Sequence, residues 1–213
     1  MIKAIFWDND GVLVDTEKLY FRACRDTFAK IGFDLTEELY TEYFLKRSEG
    51  TWHIAREMGF DEGTISELRK ERNALYSKLL ADETKVNDGV VETLEVLKRK
   101  VKMGIVTSSR KDHFNIIHQR TGLLKYFDFV VTSDECANTK PDPEPYIRAL
   151  QKSGMNSDEC IVIEDSERGL RSAMTAGLKC FVVPTKLTEK SDFTGAAKIL
   201  SNAGEIISEI DVT

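Results

Sequence analysis

Cysteine is scarce in this chain, and so is histidine. The four cysteines, Cys24, Cys136, Cys160 and Cys180, are widely scattered, with no CxxC pair and no histidine clustered beside them. Disulfide staples and a thiolate zinc site are therefore poorly supported. No apolar run approaches the length of a membrane span. A positive balance is missing too: the formal charge of −6 gives no bulk attraction for nucleic acid or anionic lipid. An anionic substrate would have to be held by a local site. The short apolar run Ile2–Trp7 leads straight into acids, so no secretory leader is expected. The sequence shows no internal repeat and no low-complexity segment. Together these absences predict a reduced, cytoplasmic protein with neither a nucleic-acid nor a membrane partner, and they leave its oligomeric state open.

What is present is an ordinary globular balance, 41% apolar and 31% charged, in 213 residues, enough for one core with a sizeable insertion. Residues 16–84 read as all-helical. Leu19, Tyr20, Ala23, Phe28 and Ile31 recur at helical spacing, and further helical patterns cover 37–46, 51–58 and 64–80, with glycines between them. From Val86 onward strands and helices alternate. The strands are expected at 102–107, 128–132, 160–164 and 179–184, with helices at 90–100, 112–121, 143–153 and 167–176. This alternation, with strands apolar on both faces, predicts an α/β fold: a parallel sheet covered by helices. Ligands of such sheets sit beyond the carboxyl ends of the strands.

Those ends carry the chemistry. The first strand runs into Asp8-Asn9-Asp10-Gly11, where residues two apart in an extended chain face the same way and two carboxylates call for a compensating cation or proton. The second ends at Thr107, followed by Ser108, Ser109 and Arg110; the third leads to Lys140; the fourth ends in Glu164 and Asp165. In a parallel sheet all four sets meet at one edge. Four carboxylates, one lysine and one magnesium ion sum to −1, so a single proton brings the site to neutrality. Magnesium suits an oxygen-only ligand set beside a substrate phosphate, whose remaining oxygens want a lysine and hydroxyl donors.

Each piece also has a plain reading. DNDG can be a turn, Thr107 and Ser109 helix caps, Arg110 a surface residue, Lys140 a solvated lysine, and Glu164-Asp165 a complement to a helix dipole. None of these explains why the pieces converge on strand ends. The three histidines, His53, His113 and His118, fall in no motif and read as ordinary polar residues on helix faces.

The ordered set resembles the haloacid dehalogenase superfamily over nearly the whole chain. The carrying residues are Asp8-Asn9-Asp10-Gly11 with Asp15-Thr16, Thr107 after an apolar strand, Lys140-Pro141, and Glu164-Asp165 followed by SERGL. Trp7, where Phe is usual, and Asp88, where Pro commonly precedes Gly, depart from the pattern at packing positions. The resemblance implies a Rossmann-like core (1–15 and 85–213) with an inserted helical cap (16–84). It also implies a magnesium-dependent phosphatase acting on a small phosphate monoester, a sugar phosphate or phosphoglycolate-like metabolite. In it Asp8 is the nucleophile and Asp10 the acid/base. Magnesium is held by Asp8, the Asp10 carbonyl, Glu164 and Asp165. Thr107, Lys140 and the backbone N–H groups of Asn9 and Ser108 bind phosphate, and Ser109 and Arg110 reach the rest of the substrate. The alternatives are a β-phosphoglucomutase-type phosphotransferase, disfavoured by Tyr20 where that branch carries a histidine, and a catalytically silent binding module. The loop 45–52, with Lys46, Arg47 and Ser48, reads equally well as a substrate contact or a solvated basic turn.

Overall fold

The computed structural model describes residues 1–47 and 49–211. Six strands, β1 (Ala4–Trp7), β2 (Lys102–Val106), β3 (Phe129–Val131), β4 (Cys160–Glu164), β5 (Lys179–Val182) and β6 (Lys198–Ile199), form one parallel sheet in the order β3-β2-β1-β4-β5-β6. Side chains alternate across a strand, so β1 splits its four buried residues between two cores. Ile5 and Trp7 join Ile105, Ile161 and Ile163 on one face, while Ala4 and Phe6 join Val106, Val162 and Tyr146 on the other. A strand buried on both faces has no polar side to show, which is why its sequence reads as a continuous apolar run. β6 was not anticipated: two exposed residues carry no period to read.

The helices between and after the strands are α5 (Val90–Leu97), α6 (Lys111–Thr121), α7 (Glu144–Ser153), α8 (Glu167–Thr175) and α9 (Ile206–Glu209). Between β1 and α5 lies the helical insertion: α1 (Glu17–Ala29), α2 (Glu37–Tyr40), α3 (Trp52–Glu57) and α4 (Glu62–Glu83). α2 runs on into a widened π-helical stretch, Thr41–Lys46, where one continuous α-helix was predicted. α4 begins earlier than expected because the Asp61 carboxylate accepts from Thr64 N at 2.7 Å and caps the helix.

The insertion has a core of its own, with Phe21, Phe28, Tyr40, Trp52 and Ile65 in one cluster. Its base is different. Leu19 and Ala23 of α1, with Tyr76, Leu79 and Leu80 of α4, share the cluster of Trp7 and Ile105 beneath the sheet edge. The antiparallel pair α1 and α4 is thus rooted in the α/β core, and its upper part rises over the strand ends.

Candidate active site

Strand register sets the floor of the site. Trp7 pairs with Ile105 on one side and Ile163 on the other, and Asp8 N donates to the Ile163 carbonyl at 2.9 Å. Asp8, Thr107 and Glu164 therefore leave the sheet at nearly one level. They do so where the chain, having laid β2 and β3 to one side of β1, returns to lay β4 on the other, the switch point at which open parallel sheets bind ligands.

Lys140 joins this group. Its ammonium, 3% exposed, donates to Asp8 Oδ1, Glu164 Oε1 and the Val106 carbonyl, each at 2.7 Å. Three donors are all an ammonium has, and all three are used. Glu164 is equally committed: Oε1 also accepts from Tyr146 OH at 2.6 Å, and Oε2 from Ser166 Oγ at 3.2 Å. Two glycines make room for the acids. A Cβ on Gly169 would stand 2.0 Å from the Glu164 carboxylate, and one on Gly11, where φ is +90°, would stand 2.2 Å from Asp165 Oδ2. These contacts account for glycine in both DNDG and SERGL.

Burial dominates the electrostatics. It works to lower the Lys140 ammonium, but Asp8 and Glu164 outweigh it and leave its pKa raised. Burial pushes the Asp8 carboxyl up to about 7, with Lys140 pulling the other way. The same desolvation, with Asp8 and Glu164 adding to it, lifts Asp165 well above the usual carboxylate range. Asp8, Glu164 and Asp165 each offer an oxygen within 4.8 Å of the others. A buried, oxygen-only set in which burial pushes Asp8 and Asp165 toward their protonated forms fits a hard divalent cation such as magnesium.

Asp10 is held apart from this lysine-centred group. Its Oδ1 accepts from Thr16 Oγ1 at 2.5 Å, and its Oδ2 from Ser109 Oγ at 2.6 Å and from Thr107 Oγ1 and Asn9 Nδ2 at 3.2 Å each. Thr107 and Ser109, expected to face substrate, thus spend their hydroxyls on Asp10. Ser108 Oγ is buried without a partner among the described residues, on the wall of the same cavity. Arg110 stands at the exposed rim, paired with Asp112 at 2.8 Å.

The cavity above this floor measures about 360 Å³, and its upper wall comes from the insertion. Arg72 of α4 is the main group there that the sequence did not reveal. Its guanidinium donates to Tyr20 OH and, through Nε, to Asn73 Oδ1 at 3.0 Å, and it lies 4.8 Å from the Tyr20 ring and 5.7 Å from the Trp52 ring. No carboxylate pairs with it among the described residues. Glu17 and Arg168 stand 4.0 Å apart between insertion and core, and Tyr40 OH donates to Glu17 at 2.7 Å. Arg168 lies in SERGL, and Glu17 directly follows Asp15-Thr16, so their neighbourhood to motifs was a usable signal. The histidine reading needs correction. His113 and His118 are both buried, His113 edge-on to Tyr76 in the cavity wall and His118 bonded to Asn9 Oδ1 at 3.0 Å. Helical period alone could not show which face of α6 meets the strand edge. Of the basic loop, Lys46 and Arg47 turn to Glu42, at 3.9 and 2.7 Å, and neither lines the cavity; Ser48 lies outside the described residues. Glu49 and Gly50 of that loop do line it.

The profile of haloacid dehalogenase-like hydrolases matches residues 5–183. The chain belongs to that family. Relatives of this hydrolase include the CbbY protein of Cereibacter sphaeroides, 29% identical across all of this chain and 98% of that protein. They also include the phosphorylated carbohydrates phosphatase of Thermotoga maritima, 33% identical across 84% of this chain and 83% of that one. Among solved structures, CbbY from Rhodobacter sphaeroides in complex with phosphate superposes with a TM-score of 0.82 at 28% identity, covering 97% of this chain and 96% of that one. A variant of the same protein in complex with xylulose-(1,5)-bisphosphate gives 0.81 at 28% identity, over 96% of each chain. The six-stranded parallel sheet with its helical insertion is the family's capped α/β fold, and the protein is an enzyme of the phosphatase type. No helix among the described residues is long and apolar enough to cross a membrane.

Proposed function

We propose that this hydrolase is a magnesium-dependent phosphatase that removes phosphate from a small sugar phosphate through an aspartyl-phosphate on Asp8. The observation that carries this reading is the separation of two neighbouring carboxylates into different surroundings. Asp8 is buried against an ammonium, whereas Asp10 is ringed by hydroxyls and an amide. Environments that differ this much suit two aspartates to two tasks. Asp8 attacks phosphorus in line while Asp10 gives a proton to the leaving oxygen, and Asp10 then takes a proton from the water that hydrolyses the acyl-phosphate.

Lys140 keeps Asp8 in place and supplies positive charge beside the transferring group. Ser108 Oγ and the backbone N–H groups of Asn9 and Ser108 are donors for its oxygens. Asp8, Asp165 and the Asp10 carbonyl would hold magnesium, with Glu164 completing the acidic group and steering Lys140. Bound there, the ion would favour the ionised form of these ligands and offset charge on the phosphoryl oxygens.

The insertion, taken as a cap over residues 16–84 on a core of 1–15 and 85–213, supplies what the floor lacks: recognition of the body that carries the phosphate. Arg72, half-buried and with no carboxylate partner among the described residues, is suited to an anionic or hydroxyl-rich far end. The phosphorylated carbohydrate and the bisphosphate named for the two relatives fit that chemistry.

A panel of phosphorylated sugars, scored for released phosphate with magnesium and with chelator, tests the reading. Turnover should need magnesium and return when it is restored. Equal rates in metal-free buffer would remove the metal from the mechanism. An isomerised sugar phosphate without phosphate release would mark a mutase, and inertness on every phosphoester would mark a binding module.

A further inference from the structure

We infer that His118 is a positioning residue, which through the Asn9 side chain sets the orientation of the Asp10 carboxylate for proton transfer. The inference rests on the reading of Asp10 as the acid/base. Asn9 is fully buried between the two aspartates, a costly place for an amide unless its hydrogen bonds are made. They are made on both sides. Asn9 Nδ2 donates to Asp10 Oδ2 at 3.2 Å, and Asn9 Oδ1 lies 3.0 Å from His118 Nε2.

Chemistry fixes the direction of each bond. When Asp10 is ionised, ready to take a proton, its oxygens only accept, so the amide turns its NH₂ toward Asp10 and its oxygen toward the histidine. His118 must then carry its proton on Nε2, which leaves Nδ1 to face Thr121 Oγ1 at 3.5 Å. Burial lowers the His118 imidazole to about 4, so the ring keeps this neutral, single-donor form at neutral pH. The Phe114 ring, 4.2 Å from the imidazole centroid, packs beside it.

The amide adds something the other partners of Asp10 cannot. Thr16, Thr107 and Ser109 reach the carboxylate with hydroxyls, which are rotors and follow whatever orientation it takes. Asn9 is planar and pinned at its far end, so it imposes an orientation. A pair that merely tied the first strand's loop to α6 would affect stability, and would have no effect on how the rate depends on the leaving group.

The test compares His118→Gln with His118→Met, side chains of nearly equal length of which only the first can donate to Asn9 Oδ1. Each is assayed for kcat/KM on phenyl phosphate, whose leaving oxygen needs a proton, and on p-nitrophenyl phosphate, whose leaving group departs without one. A small misplacement of a catalytic group costs on the order of tenfold to a hundredfold. His118→Met should therefore lose about tenfold or more on phenyl phosphate and less than about twofold on p-nitrophenyl phosphate, while His118→Gln keeps both rates. Equal behaviour of the two variants, or parallel loss on both substrates, would overturn the inference. Asp10→Asn separates it from the broader reading: if that variant shows no leaving-group preference the acid role itself fails, whereas if it shows one and His118→Met does not, only the positioning role fails. Imidazole ¹⁵N NMR of the unaltered protein gives a check independent of any variant. Protonation at Nε2 is expected, and an Nδ1–H tautomer of His118 refutes the relay.

Discussion

On the floor of the cavity, Asp8, Lys140 and Glu164 come from three segments far apart in the chain and still meet at 2.7 Å. In its roof, Tyr20, Trp52 and Arg72 come from three helices and meet through ring faces and one hydrogen bond. The floor is fixed by sheet register and by a buried ion group centred on Lys140; the roof is fixed by packing. Removing one member of a buried ion group strands the others, at a cost of about 3–5 kcal/mol. A packed aromatic and guanidinium wall can be reshaped at lower cost. The floor is therefore suited to an invariant chemical step, and the roof to a changeable choice of substrate.

The comparison is broken most sharply at Asp8. Asp8→Asn should abolish turnover on every substrate, because an amide cannot form the acyl-phosphate. Asp10→Asn should behave differently. On an aryl phosphate it should keep part of the first step and then stall, so that acid quench traps phosphate on Asp8. Equal and complete loss in both variants with nothing trapped would argue against separate roles for the two carboxylates.

A smaller effect is expected from the roof. Arg72→Ala removes a hydrogen-bonding cation worth about 1.5–3 kcal/mol to a charged partner, or roughly tenfold to a hundredfold in KM for the proposed sugar-phosphate substrate. A small aryl phosphate, which needs only the floor, should be turned over as before. Parallel loss on both substrates, with an unchanged thermal midpoint, would move Arg72 from recognition to catalysis.

The two regions also differ in how far they could be read in advance. Asp8 and Asp10 were legible because an extended chain returns to the same face every two residues, and Glu164 because a strand that is apolar throughout must end where its first acid appears. Strand ends converge by topology, so naming the parallel sheet was enough to gather Thr107 and Lys140 beside them. Which hydroxyl serves which acid was beyond reach. Ser109 turns to Asp10 through a bond three residues past the strand, where no period applies. In the roof, Arg72 closes the charged run Arg69-Lys70-Glu71-Arg72 of α4 and looks like its solvated neighbours. Only the packing of α4 on α1 sets Arg72 against the Tyr20 ring in the cavity wall. His118 was passed over for the same reason. A lone histidine on an amphipathic helix carries no sign of the strand-edge amide that will meet it.

The smallest expected effect concerns the basic loop at the cap's edge. Lys46 and Arg47 were reasonable candidates for holding substrate, since two cations ahead of a helix suit an anion. The structure gives both a nearer partner: Arg47 reaches Glu42 at 2.7 Å and Lys46 stands 3.9 Å from the same carboxylate, all on exposed side chains. Exposed pairs of this kind contribute little and are screened by salt. Replacing both residues by alanine should therefore leave kcat/KM on the sugar phosphate and on the aryl phosphate unchanged within about twofold, in contrast to the split expected for Arg72→Ala. Selective loss on the sugar phosphate would show instead that the loop swings onto the substrate, with Glu42 released. Recognition would then be shared between a fixed wall at Arg72 and a mobile edge at Lys46 and Arg47.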